Sequence, residues 1–166
     1  MADFSRLAKL IQVRIGEKYN DALIEAGIPD HATSKVTDMP VAMYAMANEY
    51  GTNKIPSRPF MRTAFAECSK DWAKIYTNAL SLGYSQDEAN ILIGSQMVQD
   101  IQKSIKGAFG AWVPNSQSTI KRKTVGVTQV INGKQETVGT TANPPLIHHS
   151  DMYDSVSFYI NGELYH

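Results

Sequence analysis

The sequence turns on Asn48-Glu49-Tyr50-Gly51-Thr52-Asn53-Lys54-Ile55-Pro56-Ser57-Arg58-Pro59-Phe60-Met61-Arg62. Upstream of it, Pro40 suits the first turn of a helix, where its missing N–H has no intrahelical partner anyway. Apolar residues run from Val41 to Ala47, and Gly51 offers the positive φ that closes a helix. Ile55-Pro56 and Arg58-Pro59 then hold the backbone extended, because each proline biases its predecessor away from helical angles. Pro59 opens a second helix at Phe60. The reading is a short apolar helix and a long one joined by a stiff elbow carrying Glu49, Lys54, Arg58 and Arg62. Glu49 and Arg58 flank that elbow, and a carboxylate–guanidinium fork between them is the expected latch.

Working outward, Phe60, Ala64, Phe65, Cys68, Trp72, Ile75, Tyr76 and Ala79 recur at three- and four-residue spacing, which predicts a helix over 59–82 with one wide apolar face. Gly83 fits a left-handed cap. Ser85-Gln86-Asp87-Glu88 has the pattern of a capping box, with Ser85 and Glu88 each satisfying the other's backbone N–H. Ala89, Ile93, Met97, Ile101 and Ile105 continue as a third helix to about Lys106, ended by Gly107 and Gly110. Two long helices joined by so short a link form an antiparallel helical hairpin.

Toward the N-terminus, Phe4, Leu7, Ala8, Leu10, Ile11, Ile15, Tyr19, Ala22, Leu23 and Ala26 fit helical spacing. Residues 3–26 are therefore expected to form an amphipathic helix ended by Gly27. Only three basic residues precede Glu17, so this helix is read as docked on the protein's own core rather than on a membrane. His31 to Thr37 is polar, and loop and weak strand both fit it.

Beyond the turn at 111–116, Ser118 to Lys123 reads as a short basic helix. The period then changes from near four to two. Val125, Val127, Gln129 and Ile131 alternate with Thr128 and Val130, and Asn132-Gly133 is a strong hairpin signal. A two-residue loop pairs Ile131 with Lys134 and Val127 with Val138. Asn143-Pro144-Pro145 is a rigid link, and Ser150 is placed to cap one turn through Asp151 to Asp154. Val156, Phe158 and Ile160 alternate as a strand, and Asn161-Gly162 turns it into Glu163-Leu164-Tyr165.

The whole is α+β: a helical hairpin and an N-terminal helix packed on a small antiparallel sheet. It forms a single domain over 1–166, with 124–140 as a projecting β-hairpin arm. With 166 residues and a formal net charge of zero, the chain buries roughly 70% of its unfolded surface and lacks the excess charge of a dedicated nucleic-acid binder. A lone cysteine excludes an internal disulfide. Arg6, Lys9, Arg14 and Glu17 interrupt any leader-like apolar core, and no run reaches the ~20 apolar residues of a membrane span. A soluble intracellular product is expected.

Candidate chemistry is sparse. Cys68, between Phe65 and Trp72, reads as a buried structural thiol. His148, His149 and Asp151 are possible ligands, but adjacent histidines diverge and no third ligand stands at helical spacing, so no metal and no cofactor is expected. Glu49 beside Arg58 and Arg62 has the residue types of an acid/base pair, yet a structural ion pair fits better. There is no phosphate loop and no nucleophile elbow. Lys121, Arg122 and Lys123, with Lys103 and Lys106 upstream, form the one basic cluster, either a solvated face or a contact for DNA backbone or an acidic partner.

One resemblance binds these pieces together. Glu-aromatic-Gly at 49–51, then Pro56-Ser57-Arg58-Pro59-Phe60-Met61-Arg62, resembles the signature of phage virion-morphogenesis proteins, the small head–tail joining and tail-completion proteins of tailed phages. Trp72, Pro114, Thr119-Ile120-Lys121-Arg122-Lys123, Pro145-Leu146-Ile147 and Ser155-Val156 follow in the family's order. Where Asp-Thr-Gly is common after Pro-Leu-Ile, this chain has His148-His149-Ser150. The similarity spans roughly 36–160.

What the resemblance implies is a structural virion protein and not an enzyme. It implies a homo-oligomeric ring, six- or twelve-fold, at the neck of the virion, assembled in the bacterial cytoplasm. Its neighbours would be portal or head-completion proteins on one side and tail-tube or tail-terminator proteins on the other, with DNA passing through the lumen and no membrane contact. Glu49, Gly51, Arg58, Pro59, Phe60 and Arg62 would be its structural elbow. Lys121, Arg122, Lys123, Val127, Val130, Ile131 and Val138 are the interface candidates, with the hairpin arm reaching a neighbouring subunit. Two other readings are a nucleic-acid-binding accessory protein using Lys121–Lys123 and, more distantly, a small hydrolase.

Overall fold

The computed structural model describes residues 11–14, 22–34, 38–117, 120, 128–131, 134–137, 146 and 151–165. The expected α+β class holds. Helices α1 (Val41–Tyr50), α2 (Phe60–Ser81), α3 (Gln86–Ile105) and α4 (Asp151–Asp154) accompany strands β1 (Ile11–Arg14), β2 (Leu23–Gly27), β3 (Thr128–Ile131), β4 (Lys134–Thr137), β5 (Ser157–Ile160) and β6 (Glu163–Tyr165). An antiparallel four-stranded sheet has the order β1-β2-β5-β6, and β3-β4 form a separate two-stranded sheet.

The helical hairpin follows from its punctuation. Gly83 adopts φ 90°, and Tyr84 N–H reaches back to Ala79 O, closing α2. Ser85 Oγ accepts from Glu88 N at 3.3 Å while Glu88 Oε2 accepts from Ser85 N at 2.8 Å, the reciprocal cap that opens α3. All five apolar positions expected on α3, from Ala89 to Ile105, are buried. At the far end Ser104 Oγ donates to Phe60 O at 2.7 Å, so the end of α3 lies beside the start of α2.

α3 packs on the sheet through β2 and β5. Gly94 is what permits the approach, since a Cβ there would overlap the Phe158 ring. Phe158 also stacks on Tyr165 across β5 and β6, with centroids 5.3 Å apart. Asn161 and Gly162 take φ 51° and 85°, the left-handed pair of a tight hairpin turn. Asn161 also exchanges bonds with Leu23, donating its N–H to Leu23 O and accepting from Leu23 N through Oδ1, each at 2.9 Å. The turn is thus tied to the start of β2.

The helix expected over 3–26 is not what forms at its described positions. Ile11–Arg14 and Leu23–Gly27 are strands, and Gly27 pairs with Ser157 instead of capping a helix. The apolar residues of this segment satisfy two periods at once. Ala22, Ile24, Ala26 and Ile28 alternate, and all four are buried. β2 pairs with β1 on one side and on the other with β5, which sets Ile24 opposite Ile160 and Ala26 opposite Phe158. No local window of sequence contains that pairing.

At the polar 31–37 region Thr33 bridges Pro40, and Asp38 just beyond it takes φ 53°. The arm hairpin has the expected register, Ile131 opposite Lys134 and Thr128 opposite Thr137. Its Val127–Val138 pair lies outside the described residues, as do all residues of the expected basic helix 118–123 except Ile120, whose N–H donates to Ser116 O.

Candidate functional site

The residue before α2 is Pro59, which has no side chain able to accept from the first helical N–H groups. Those donors are met from across the elbow. Glu49, fully buried in the last turn of α1, accepts from Met61 N at 2.9 Å through Oε2 and from Arg62 N at 3.1 Å through Oε1. A carboxylate thus caps a helix that starts eleven residues later, where both the free N–H groups and the helix dipole favour negative charge. Arg62 Nε adds a 3.0 Å ion pair to Oε1, and its Nη2 donates to Glu49 O at 2.8 Å. The Arg62 guanidinium also lies over the Tyr50 ring, 5.0 Å from its centroid.

The loop between the helices is tied at each step. Thr52 N–H donates to Ile55 O, and Thr52 Oγ1 accepts from Lys54 and Ile55 N–H. Ser57 Oγ donates to Glu49 O, and Arg58 N–H to Asn48 O. Gly51, at φ 78°, is required: a Cβ there would sit 2.9 Å from Ser57 N.

The expected Glu49–Arg58 fork is replaced by Glu49–Arg62. Arg58 faces the other way. Its Nε donates to Val113 O at 2.9 Å, Nη1 to Asn48 Oδ1 at 3.0 Å, and Nη2 to Pro114 O and Asn115 Oδ1 at 3.3 Å. Among the described residues no carboxylate partners this buried guanidinium, and burial pulls its pKa below the ordinary value. The position of Arg62 explains the exchange. It stands in the same first turn of α2 whose N–H groups Glu49 caps, so one carboxylate meets backbone and side chain together. Trp112 Nε1 donates to Ser104 O at 2.9 Å and fixes the 112–115 segment against the end of α3.

Glu49, Gly51, Arg58, Pro59, Phe60 and Arg62 therefore do converge, with Pro114 joining from a distant turn. Of the other expected interface residues, the two that are described do not join them. Val130 and Ile131 lie on β3, paired with Gln135 and Lys134. Lys121, Arg122, Lys123, Val127 and Val138 lie outside the described residues. The cations upstream of that cluster are already engaged: Lys103 Nζ donates to Asp100 Oδ1 at 2.9 Å, and Lys106 Nζ donates to Tyr153 Oη at 3.0 Å while lying over the Tyr153 ring.

A second polar cluster went unread in the sequence. Buried Asp100 accepts from Trp72 Nε1 at 2.9 Å, from Gln96 Nε2 and from Lys103, tying α2 to α3. Burial alone would raise its pKa, but hydrogen bonds from Lys103, Trp72 and Gln96, with the Lys103 charge, outweigh that and hold it low. Its signal was present as Gln96, Asp100 and Lys103 on one face of α3, but Trp72 comes from the other helix. Cys68 lies half-buried beside this cluster, its thiol pushed up to about 11 by burial and by Asp100. That suits a structural thiol and not a nucleophile.

Among the described residues, no helix is long and apolar enough to cross a membrane. Comparison with protein-family models, curated proteins and solved structures gave no match.

Proposed function

We propose that this chain is a structural subunit of a tailed-phage neck, a head–tail joining or tail-completion protein that forms a ring around the DNA path. The observation that carries the reading is the convergence at the elbow. The elbow residues among those that carry the family resemblance form one connected network, from Glu49 through Arg58 to Pro114. They bind backbone to backbone and shape the chain. Glu49, the carboxylate that an enzyme would use, is fully buried with both oxygens engaged, which favours a structural role. Lys103 and Lys106 are spent on intramolecular contacts, which leaves the nucleic-acid reading with Lys121–Lys123 alone.

The neighbours in this reading are portal or head-completion proteins and tail-tube or tail-terminator proteins, and the location is the virion. Deletion of the chain from the phage or prophage encoding it tests the proposal. The expected result is DNA-filled heads and free tails that fail to join, with joining restored by the chain supplied in trans. Intact virions from the deletion would overturn it.

A further inference from the structure

Between the end of α3 and Gln117 the chain is held differently from the frame it lies on. No residue from Lys106 to Gln117 is buried. Phe109 and Trp112 rest half-buried on the core, while Val113 is 50% exposed and Ala111, Pro114 and Gln117 are exposed as well. Apolar burial, which holds α2, α3 and the sheet together, therefore contributes little here. The segment hangs on polar ties. Three of them come from one side chain, Arg58, whose Nε donates to Val113 O at 2.9 Å and whose Nη2 donates to Pro114 O and Asn115 Oδ1 at 3.3 Å. Another is Trp112 Nε1 to Ser104 O at 2.9 Å.

Arg58 itself belongs to the frame. Its N–H donates to Asn48 O at 2.6 Å and its Nη1 to Asn48 Oδ1 at 3.0 Å, and Phe60, two residues on, is fully buried. It stays with the elbow if the segment leaves. The near end of the segment has a place to bend, since Gly107 takes φ 86° just beyond α3 and a Cβ at Gly110 would meet nothing. Opening also returns the guanidinium donors to water and relieves the burial that pulls the Arg58 pKa down. Few buried apolar contacts and ties concentrated on one residue mark a unit that opens well below the stability of the whole.

We propose that residues 111–117 form a strap that opens as a unit about Gly107 and Gly110, with Arg58 as its latch. Opening changes the direction in which the chain leaves the frame at Gln117, while the elbow, the helical hairpin and the sheet stay in place. The inference does not rest on the ring reading above.

The two tryptophans of the chain report the two parts separately: Trp112 lies in the strap, and Trp72, 1% exposed, lies in the frame. In the full chain labelled with fluorotryptophan, fluorine NMR follows both across a urea titration. Trp112 should reach its unfolded position at lower urea than Trp72. Arg58→Gln removes hydrogen bonds from a charged donor and should raise the open population by about tenfold or more, moving the Trp112 midpoint down further than that of Trp72. Asn115→Ala removes one tie without touching the elbow, and should lower the Trp112 midpoint by a smaller amount with Trp72 unmoved. Coincident transitions of the two tryptophans in the wild-type chain would overturn the proposal. So would variants that shift both midpoints equally, or neither. If Arg58→Gln does not fold, Asn115→Ala decides by the same comparison.

Discussion

Glu49 does at one residue what a helix-capping side chain and an ion pair usually do at two. It satisfies two N–H groups of α2 and holds Arg62, while its own carbonyl accepts from Ser57 and Arg62. Removing Arg62 leaves a buried carboxylate held by two backbone N–H groups alone, at a cost below the about 3–5 kcal/mol of a pair buried on both sides. Arg62 is half exposed and regains water when Glu49 is lost, so Glu49→Ala is governed more by the two orphaned N–H groups, about 1–3 kcal/mol each. A double-mutant cycle by urea unfolding should therefore show strong coupling between Glu49 and Arg62, and weaker coupling between Glu49 and Arg58. Stronger coupling to Arg58 would contradict the geometry. Asp100 gives a second residue-scale prediction. Its folded pKa lies below its unfolded value, so its contribution to stability is present above the unfolded pKa and is lost as pH falls through the folded one. Asp100→Asn should flatten the acid limb of the stability profile below about pH 4, and an unchanged limb would count against the Trp72–Gln96–Lys103 network.

At the scale of elements, the joint between α3 and β5 depends on Gly94. Gly94→Ala gains helix propensity, up to about 1 kcal/mol, but forces a methyl into the Phe158 ring, and overpacking costs about 1–3 kcal/mol. Net destabilisation is expected in thermal or urea unfolding, and it should shrink in a Phe158→Leu background. A cost identical in both backgrounds would show that the ring is not what the methyl meets. The elements read correctly from sequence were those whose signals are local. Gly51, Gly83 and Gly107 mark helix ends, Ser85–Glu88 caps α3, and Asn161-Gly162 makes the β5–β6 turn, all within a few residues. The errors were non-local. Ala22, Ile24 and Ala26 satisfy two periods, and pairing selects the strand: β1 on one side and, over a hundred residues downstream, β5 on the other. The elbow residues were legible as a group, but the partner of Glu49 was not, because sequence separation does not say which of two arginines shares a helix turn with the capped N–H groups. Arg58's anchors at Val113 and Pro114 were equally out of reach, since main-chain carbonyls carry no residue signature.

At the scale of the molecule, the elbow, the helical hairpin and the four-stranded sheet form a frame in which the two ends of α2 lie about 33 Å apart. Such a frame would serve the proposed ring, because a ring closes only if every subunit presents its two contact surfaces at the same angle. The tied elbow supplies that constancy: Glu49 sets the start of α2 against the end of α1, and Arg58 and Trp112 fasten the 112–115 segment to the same corner. Counting the subunits tests this most directly. Native mass spectrometry of the purified chain should give a discrete assembly of six or twelve copies of the 18.4 kDa subunit. A monomer at every concentration, or an unbounded series of sizes, would contradict the ring.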